Sequence, residues 1–281
     1  MSDLHLGLDW HRIELINTNF YIRWGMNYIM NMTEKVIRRD NPMALSIVLR
    51  RDKNQELTHE QLLLASFSHM ALIAEKARDS NWSKNWSIPY MSWREGKFRK
   101  IVKRANPQRF DALVEDPEAI HTVIELDGES IELLSFPPYL LTNPDPRVKP
   151  LQVSGLNYEP LERFPSTVGT TFKIAKEMDS SGEICLKSEL KKPTSSNIVI
   201  AYDAILGAST GKMMAQVAHG AQILAQTVSN WKIDSKSIEV VDNFDDKDVD
   251  WVFTVTDAGF TEIAPNSTTV KVGVRKLKNN G

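Results

Sequence analysis

The sequence predicts an α/β protein of two similar halves, each a small mixed β-sheet with helices on its faces, and three observations carry that reading. Short apolar or alternating runs are interleaved with one long amphipathic stretch in each half. The runs follow the same order before and after residues 137–196. Those residues hold eight of the thirteen prolines, which fix φ and remove backbone donors and so divide the chain.

Residues 1–40 form a leader rich in Trp, Tyr, Met and Asn, in which Phe20 to Arg39 fits an amphipathic helix packed on the first half. Residues 41–136 are the first α/β domain. Met43 to Leu49 is apolar enough for a strand, and Glu60 to Ala77 has helical spacing. A strand over 98–102, a short helix from Gln108 to Glu115, and a hairpin of 122–126 with 131–134 around Asp127-Gly128 complete it. Residues 137–196 are a Pro-rich connector. Sixty bare residues are too long for a loop in a compact protein, so 151–155 and 171–174 are expected to be short strands or arms on either domain. The second domain, 197–281, repeats the order: strand 198–202, helix 212–230, and strands 238–242, 251–256 and 269–274. Leu64-Ala65-Ser66-Phe67-Ser68-His69 can be laid on Met214-Ala215-Gln216-Val217-Ala218-His219 at an offset of 150 residues. That register puts Leu62 where Lys212 falls and implies a duplication in which the first half lost its chemistry.

The 281 residues suffice for two small cores, and no apolar run approaches the ~20 residues of a membrane helix. Met1-Ser2-Asp3 lacks the basic start of a secretory signal, and Cys185 is the only cysteine, so no internal disulfide or zinc pattern is expected. A cytoplasmic protein is the expectation. The net charge of −2 hides an asymmetry: Arg38 to Arg109 holds fifteen Lys/Arg against seven Asp/Glu, a local balance of +8. Lys97, Arg99, Lys100, Lys103 and Arg104 form its densest run, with Trp93 and Phe98 interleaved. Such a run can neutralise phosphates and stack on unpaired bases; a solvated strand is the plainer alternative.

Two segments carry the chemistry. Gly211-Lys212-Met213-Met214-Ala215-Gln216-Val217-Ala218-His219 follows the apolar run Ile198-Val199-Ile200-Ala201 and opens a helix, so Lys212, Gln216 and His219 share one face. Asp257-Ala258-Gly259-Phe260-Thr261-Glu262-Ile263-Ala264-Pro265 follows Trp251 to Thr256, placing Asp257 at the C-terminal end of a strand, where α/β folds usually bind ligands. A phosphate loop is excluded: three residues separate Gly207 from Gly211 instead of four, and Met213 stands where a Ser or Thr would ligate magnesium. Asp242, Asp245, Asp246, Asp248 and Asp250 lack the glycine and closing glutamate of a calcium loop, so no metal is expected there.

Together the two segments resemble the GKxxAQxxH and DAGxTxIxP signatures of the second type of peptidyl-tRNA hydrolase, over most of residues 197–275. The resemblance implies hydrolysis of the ester joining a peptide to the terminal ribose of tRNA, without cofactor or metal. It maps Lys212 onto the catalytic lysine, Asp257 onto the carboxylate, and Thr261 and Thr269 onto the threonines that hold water or substrate. Gln216 and His219 map onto the helix residues facing substrate. For His219 a structural role stands beside that one, because His69 has a similar place in the half that lacks the lysine. The chain departs from the family at Phe260, commonly basic, at Asn266, commonly glycine, and at 243–250, usually a full helix. The partner implied is tRNA, bound by a monomeric pseudo-dimer or a homodimer. A non-catalytic tRNA- or RNA-binding protein of the same fold, or an esterase acting on another aminoacyl or peptidyl carrier, are the alternatives.

Overall fold

In the computed structural model, described for residues 42–95, 98–126, 128–153, 173–178, 184–185, 197–227, 237–242, 244–257 and 263–275, two mixed sheets enclose a pair of helices. The first half contains β1 (Met43–Arg50), α1 (His59–Lys76), α2 (Lys84–Glu95), β2 (Phe98–Ala105), α3 (Pro107–Val114), β3 (Ile120–Leu126) and β4 (Glu129–Ser135). Three short strands follow: β5 (Tyr139–Leu140), β6 (Lys173–Met178) and β7 (Ile184–Cys185). The second half contains β8 (Asn197–Tyr202), a 3-10 turn (Ala204–Leu206), α4 (Thr210–Thr227), β9 (Ser237–Val241), β10 (Val249–Thr256) and β11 (Thr268–Arg275). The amphipathic stretch expected in the leader lies outside the described residues.

The two sheets have one topology. In the first, β1 pairs with β2 in parallel and with β4 antiparallel, and β4 pairs with β3 antiparallel, giving β2-β1-β4-β3. In the second, β8 pairs with β9 in parallel and with β11 antiparallel, and β11 pairs with β10 antiparallel, giving β9-β8-β11-β10. The stretch read as a connector extends the first sheet: β6 and β7 continue it beyond β3, and β5 pairs with β1. Residues 137–153 also close one face, where Val148 joins Val48, Phe110, Leu134 and Phe136 in a small core under α3. In the second half a turn over 244–248 stands where the first has α3.

Both central helices are buried on nearly every side because each touches both sheets. α1 lies on β3 and β4 and reaches β9; α4 lies on β10 and β11 and reaches β2. A helix so enclosed must be largely apolar, and α1 buries Leu62, Leu63, Leu64, Phe67, Met70, Leu72 and Ile73, with its buried Ser66, Ser68 and His69 hydrogen-bonded. α4 approaches its own sheet at Gly220, where a Cβ would stand 2.6 Å from Val272 Cγ2. The core of one half runs into that of the other without a break. Polar contacts cross the seam as well: Ser66 Oγ donates to Met214 O at 2.9 Å, and Tyr202 Oη donates to the buried Glu60 at 2.8 Å.

The helix boundaries correct the register read from sequence. Both helices have 18 residues and start at His59 and Thr210, an offset of 151 rather than 150. Their caps agree: Thr58 Oγ1 accepts from Gln61 N at 3.2 Å, and Ser209 Oγ accepts from Lys212 N at 3.3 Å. So do the faces, since His69 meets Thr122 on β3 and Ser135 on β4 while Gly220 meets β10 and β11. Gln61, not Leu62, therefore corresponds to Lys212, and His69 corresponds to Gly220 rather than to His219. The one-residue slip arose because small and apolar residues crowd both helices and match in either register.

Candidate functional site

Lys212 occupies the third position of α4, and the preceding chain fixes it there. β8 ends at Tyr202, the 3-10 turn follows, and Gly207 takes the left-handed conformation (φ 59°) that a side chain disfavours. Ser209 then starts the helix, with Met213 N donating to its carbonyl at 3.0 Å. In the first half the corresponding Gln61 completes a capping box, its Oε1 accepting from Thr58 N at 2.9 Å. Lysine cannot accept such a bond, so its side chain is directed elsewhere.

It goes to Asp257. The Lys212 ammonium forms an ion pair with Asp257 Oδ2, and Gln216 Nε2, one helical turn on, donates to the same oxygen at 2.6 Å. The Asp257 side chain is 3% exposed and that of Lys212 15%. The carboxylate is held by its own backbone: Asp257 N donates to Ser267 O at 2.9 Å and Asn266 N donates to Asp257 O at 2.8 Å. Asn266 has φ 65°, a left-handed value that asparagine tolerates and glycine prefers. Glycine would tolerate this backbone turn as well.

The remaining expected residues are distributed differently. Thr269 is fully buried and its hydroxyl donates to Val255 O at 3.1 Å, across the β10–β11 pair. Thr261 and Lys97 lie outside the described residues. His219 turns its ring to the first half, where Nδ1 lies 3.0 Å from Lys100 Nζ. Burial, and then the positive charges of Lys100 and Lys212, hold its pKa well below the ordinary histidine value.

The basic run does not project as a row of solvated cations. Lys100 is buried over α4, donating to Gln222 Oε1 at 2.5 Å, with Nζ 4.6 Å from the centre of the Trp93 ring. Lys103, on the opposite face of β2, is buried and donates to Val148 O at 2.8 Å. Burial lowers both pKa values. Arg104 Nη2 donates to Gln152 Oε1 at 2.7 Å, and Arg99 is half-buried. Strand alternation sends 100 and 103 to opposite faces, and in a sheet covered on both sides each direction leads inward. Both lysines expected as phosphate contacts are buried, at 7% exposure each, with their ammonium groups committed to protein acceptors. The meeting of Lys100 with His219 and Gln222 spans more than a hundred residues of sequence, and no local pattern signals it.

Among the described residues no cluster of His, Cys, Asp or Glu has the geometry to hold a metal ion, and no helix is long and apolar enough to cross a membrane. An open cleft of about 500 Å³ lies apart from these groups, between α2 and residues 137–147. Comparison with protein-family models, with curated proteins and with solved structures returned no match. The class of protein that the structure defines is α/β with two mixed sheets around a central helix pair.

Proposed function

We propose that this protein hydrolyses the ester bond of peptidyl-tRNA, releasing peptide and tRNA. The observation that carries the reading is the convergence of Lys212, Gln216 and Asp257, brought from two motifs to a helix start and a strand end. Water is the nucleophile. Asp257 orients it and takes its proton as it adds to the ester carbonyl; Gln216 holds the carboxylate in place. Lys212 moves part of its interaction from Asp257 to the oxygen of the tetrahedral intermediate, supported by the N-terminal end of α4. Collapse expels the ribose 3′ oxygen, which leaves with the proton. Nothing in this scheme calls for a metal or cofactor, and the pseudo-dimer made by the α1–α4 pair would bind tRNA in the cytoplasm.

A second reading draws on one observation: Asp257 is almost wholly enclosed by its own protein partners. A non-catalytic tRNA-binding protein would keep such a pair for stability alone. Purified protein incubated with an N-blocked aminoacyl-tRNA and with its unblocked form separates the two. Release of tRNA from the blocked form supports hydrolysis; binding without release moves the assignment to the binding protein.

A further inference from the structure

The turn that leads into α4 carries side chains that turns seldom have. Ala204-Ile205-Leu206-Gly207-Ala208 holds no polar side chain, although such connections are normally set by polar residues. Ile205 is 96% exposed, against 54% for Val153, the next among the described large apolar residues. Ala204 and Gly207 are exposed beside it, and Leu206 is half-buried. Local bonds hold this posture: Asp203 Oδ1 accepts from Ile205 N at 2.9 Å, Gly207 N donates to Ala204 O at 3.5 Å, and Gly207 has φ 59°. The isoleucine is thus kept in water by a turn fixed on both sides of it.

That turn stands at the same end of the second sheet as the Lys212–Asp257 pair. Asp203 N donates to Thr269 O at 3.2 Å and Asp257 N donates to Ser267 O at 2.9 Å, so the two aspartates leave their strands on either side of the start of β11. Two strand spacings put them about 10 Å apart, and Ile205 lies seven residues ahead of Lys212. An acyl-tRNA with its ester over that pair presents phosphates, a ribose, an adenine and an acyl group. Side chains without charge or donor offer the phosphates and ribose little. The turn also lacks the aromatic ring or arginine plane on which unpaired bases stack. The acyl group is the part that an aliphatic surface fits.

We propose that Ile205, with Leu206 beside it, is a specificity contact for the acyl part of the substrate: it covers the side chain of the amino acid esterified to the tRNA and so favours large apolar residues there over glycine. The inference rests on the function proposed above, whose site it extends. No bond is made or broken by the contact, and its effect is the removal of apolar surface from water.

The test uses one tRNA esterified with either N-acetylleucine or N-acetylglycine, and full-length protein, unaltered and as Ile205→Ser. The unaltered protein should show a kcat/KM about five- to tenfold higher for the leucyl ester, the effect of half-covering one such side chain. Ile205→Ser should bring that ratio close to unity, and Ile205→Leu should restore most of it. No preference in the unaltered protein overturns the proposal. So does an unchanged ratio in Ile205→Ser, including an equal loss on both esters, which would place the contact at the adenine or the helix start. Ile205 lies outside the core, so thermal unfolding of Ile205→Ser should match that of the unaltered protein. If the unaltered protein cleaves neither ester, the function proposed above falls, and Kd values for the uncleavable amide-linked forms decide for Ile205. A leucyl preference that is lost in Ile205→Ser keeps the contact; equal Kd values, or no binding of either form, overturn it.

Discussion

His59 Nδ1 meets Thr210 Oγ1 at 2.9 Å, the first residue of one central helix against the first residue of the other. Two residues related by the helix offset touch each other, as happens where a two-fold axis passes through an isologous interface. The strand orders obey the same relation, and so do the reciprocal contacts of α1 with β9 and of α4 with β2. The halves therefore pack as the subunits of a dimer do, within one chain.

Thr210→Val removes the hydroxyl and leaves His59 in a buried site where Nε2 has no hydrogen-bond partner among the described residues. The variant should lose about 1–3 kcal/mol of stability, and a His59→Phe, Thr210→Val double variant should be less unstable than the two losses summed, by about 1 kcal/mol. Urea unfolding of the four proteins measures this coupling. Additive losses would mean that the contact carries no energy across the seam.

Asp257→Asn keeps the shape of the side chain and removes its charge. Turnover of blocked aminoacyl-tRNA should fall by about 10²- to 10⁴-fold with KM little changed, and Lys212→Met should cost about 10²- to 10³-fold. The double variant should be scarcely worse than the poorer single one. Lys212→Met also takes the cation from a buried carboxylate and should lower stability by about 3 kcal/mol. Full turnover in Asp257→Asn would remove the general base from the mechanism.

The pair was legible because Lys212 and Asp257 each sit at a junction that sequence marks well, a glycine turn into a helix and the end of an apolar strand. The shared topology was legible from the order of the runs. Lys100 and Lys103 were not, because charge alone does not tell which face of a strand is covered; α4 buries the first and residues 137–153 the second. The helix register failed for a related reason: among residues that all face protein, the cap and not the apolar pattern fixes the phase, and Thr58 with Ser209 supplies it. Of the threonines, Thr269 shows how a hydroxyl in a motif can be committed to a neighbouring carbonyl.

Asn266 should discriminate sharply among substitutions, because its φ of 65° is a backbone value that branched side chains resist. Asn266→Gly should be within about 0.5 kcal/mol of the unaltered protein, while Asn266→Val should cost about 1–2 kcal/mol. The Val variant should also lose turnover, since the turn at 266 carries the N–H that donates to the Asp257 carbonyl. Thermal unfolding and the hydrolysis assay check the two effects, and equal stability of the Gly and Val variants would contradict the backbone argument.

Acid should destabilise this protein through histidines that fold in the neutral form. His69 is fully buried, with its two ring nitrogens at 2.5 Å from Thr122 Oγ1 and 2.8 Å from Ser135 Oγ, and burial, helped by His121, pushes its pKa down to about 3. Burial also lowers His59, against the opposing pull of Glu60, and lowers His219 together with Lys100 and Lys212. In each case the unfolded chain binds a proton more readily than the folded one. The contribution is therefore complete above the ordinary histidine pKa of about 6.5 and is lost as pH falls below it, for His69 down to about 3. Each such histidine adds a slope of up to about 1.4 kcal/mol per pH unit. Urea unfolding from about pH 4.5 to about 7.5 should show stability falling on the acid side, and His69→Gln should remove one proton's worth of slope relative to the unaltered protein. A difference between the two proteins that stays constant with pH would show that His69 is not the group that titrates.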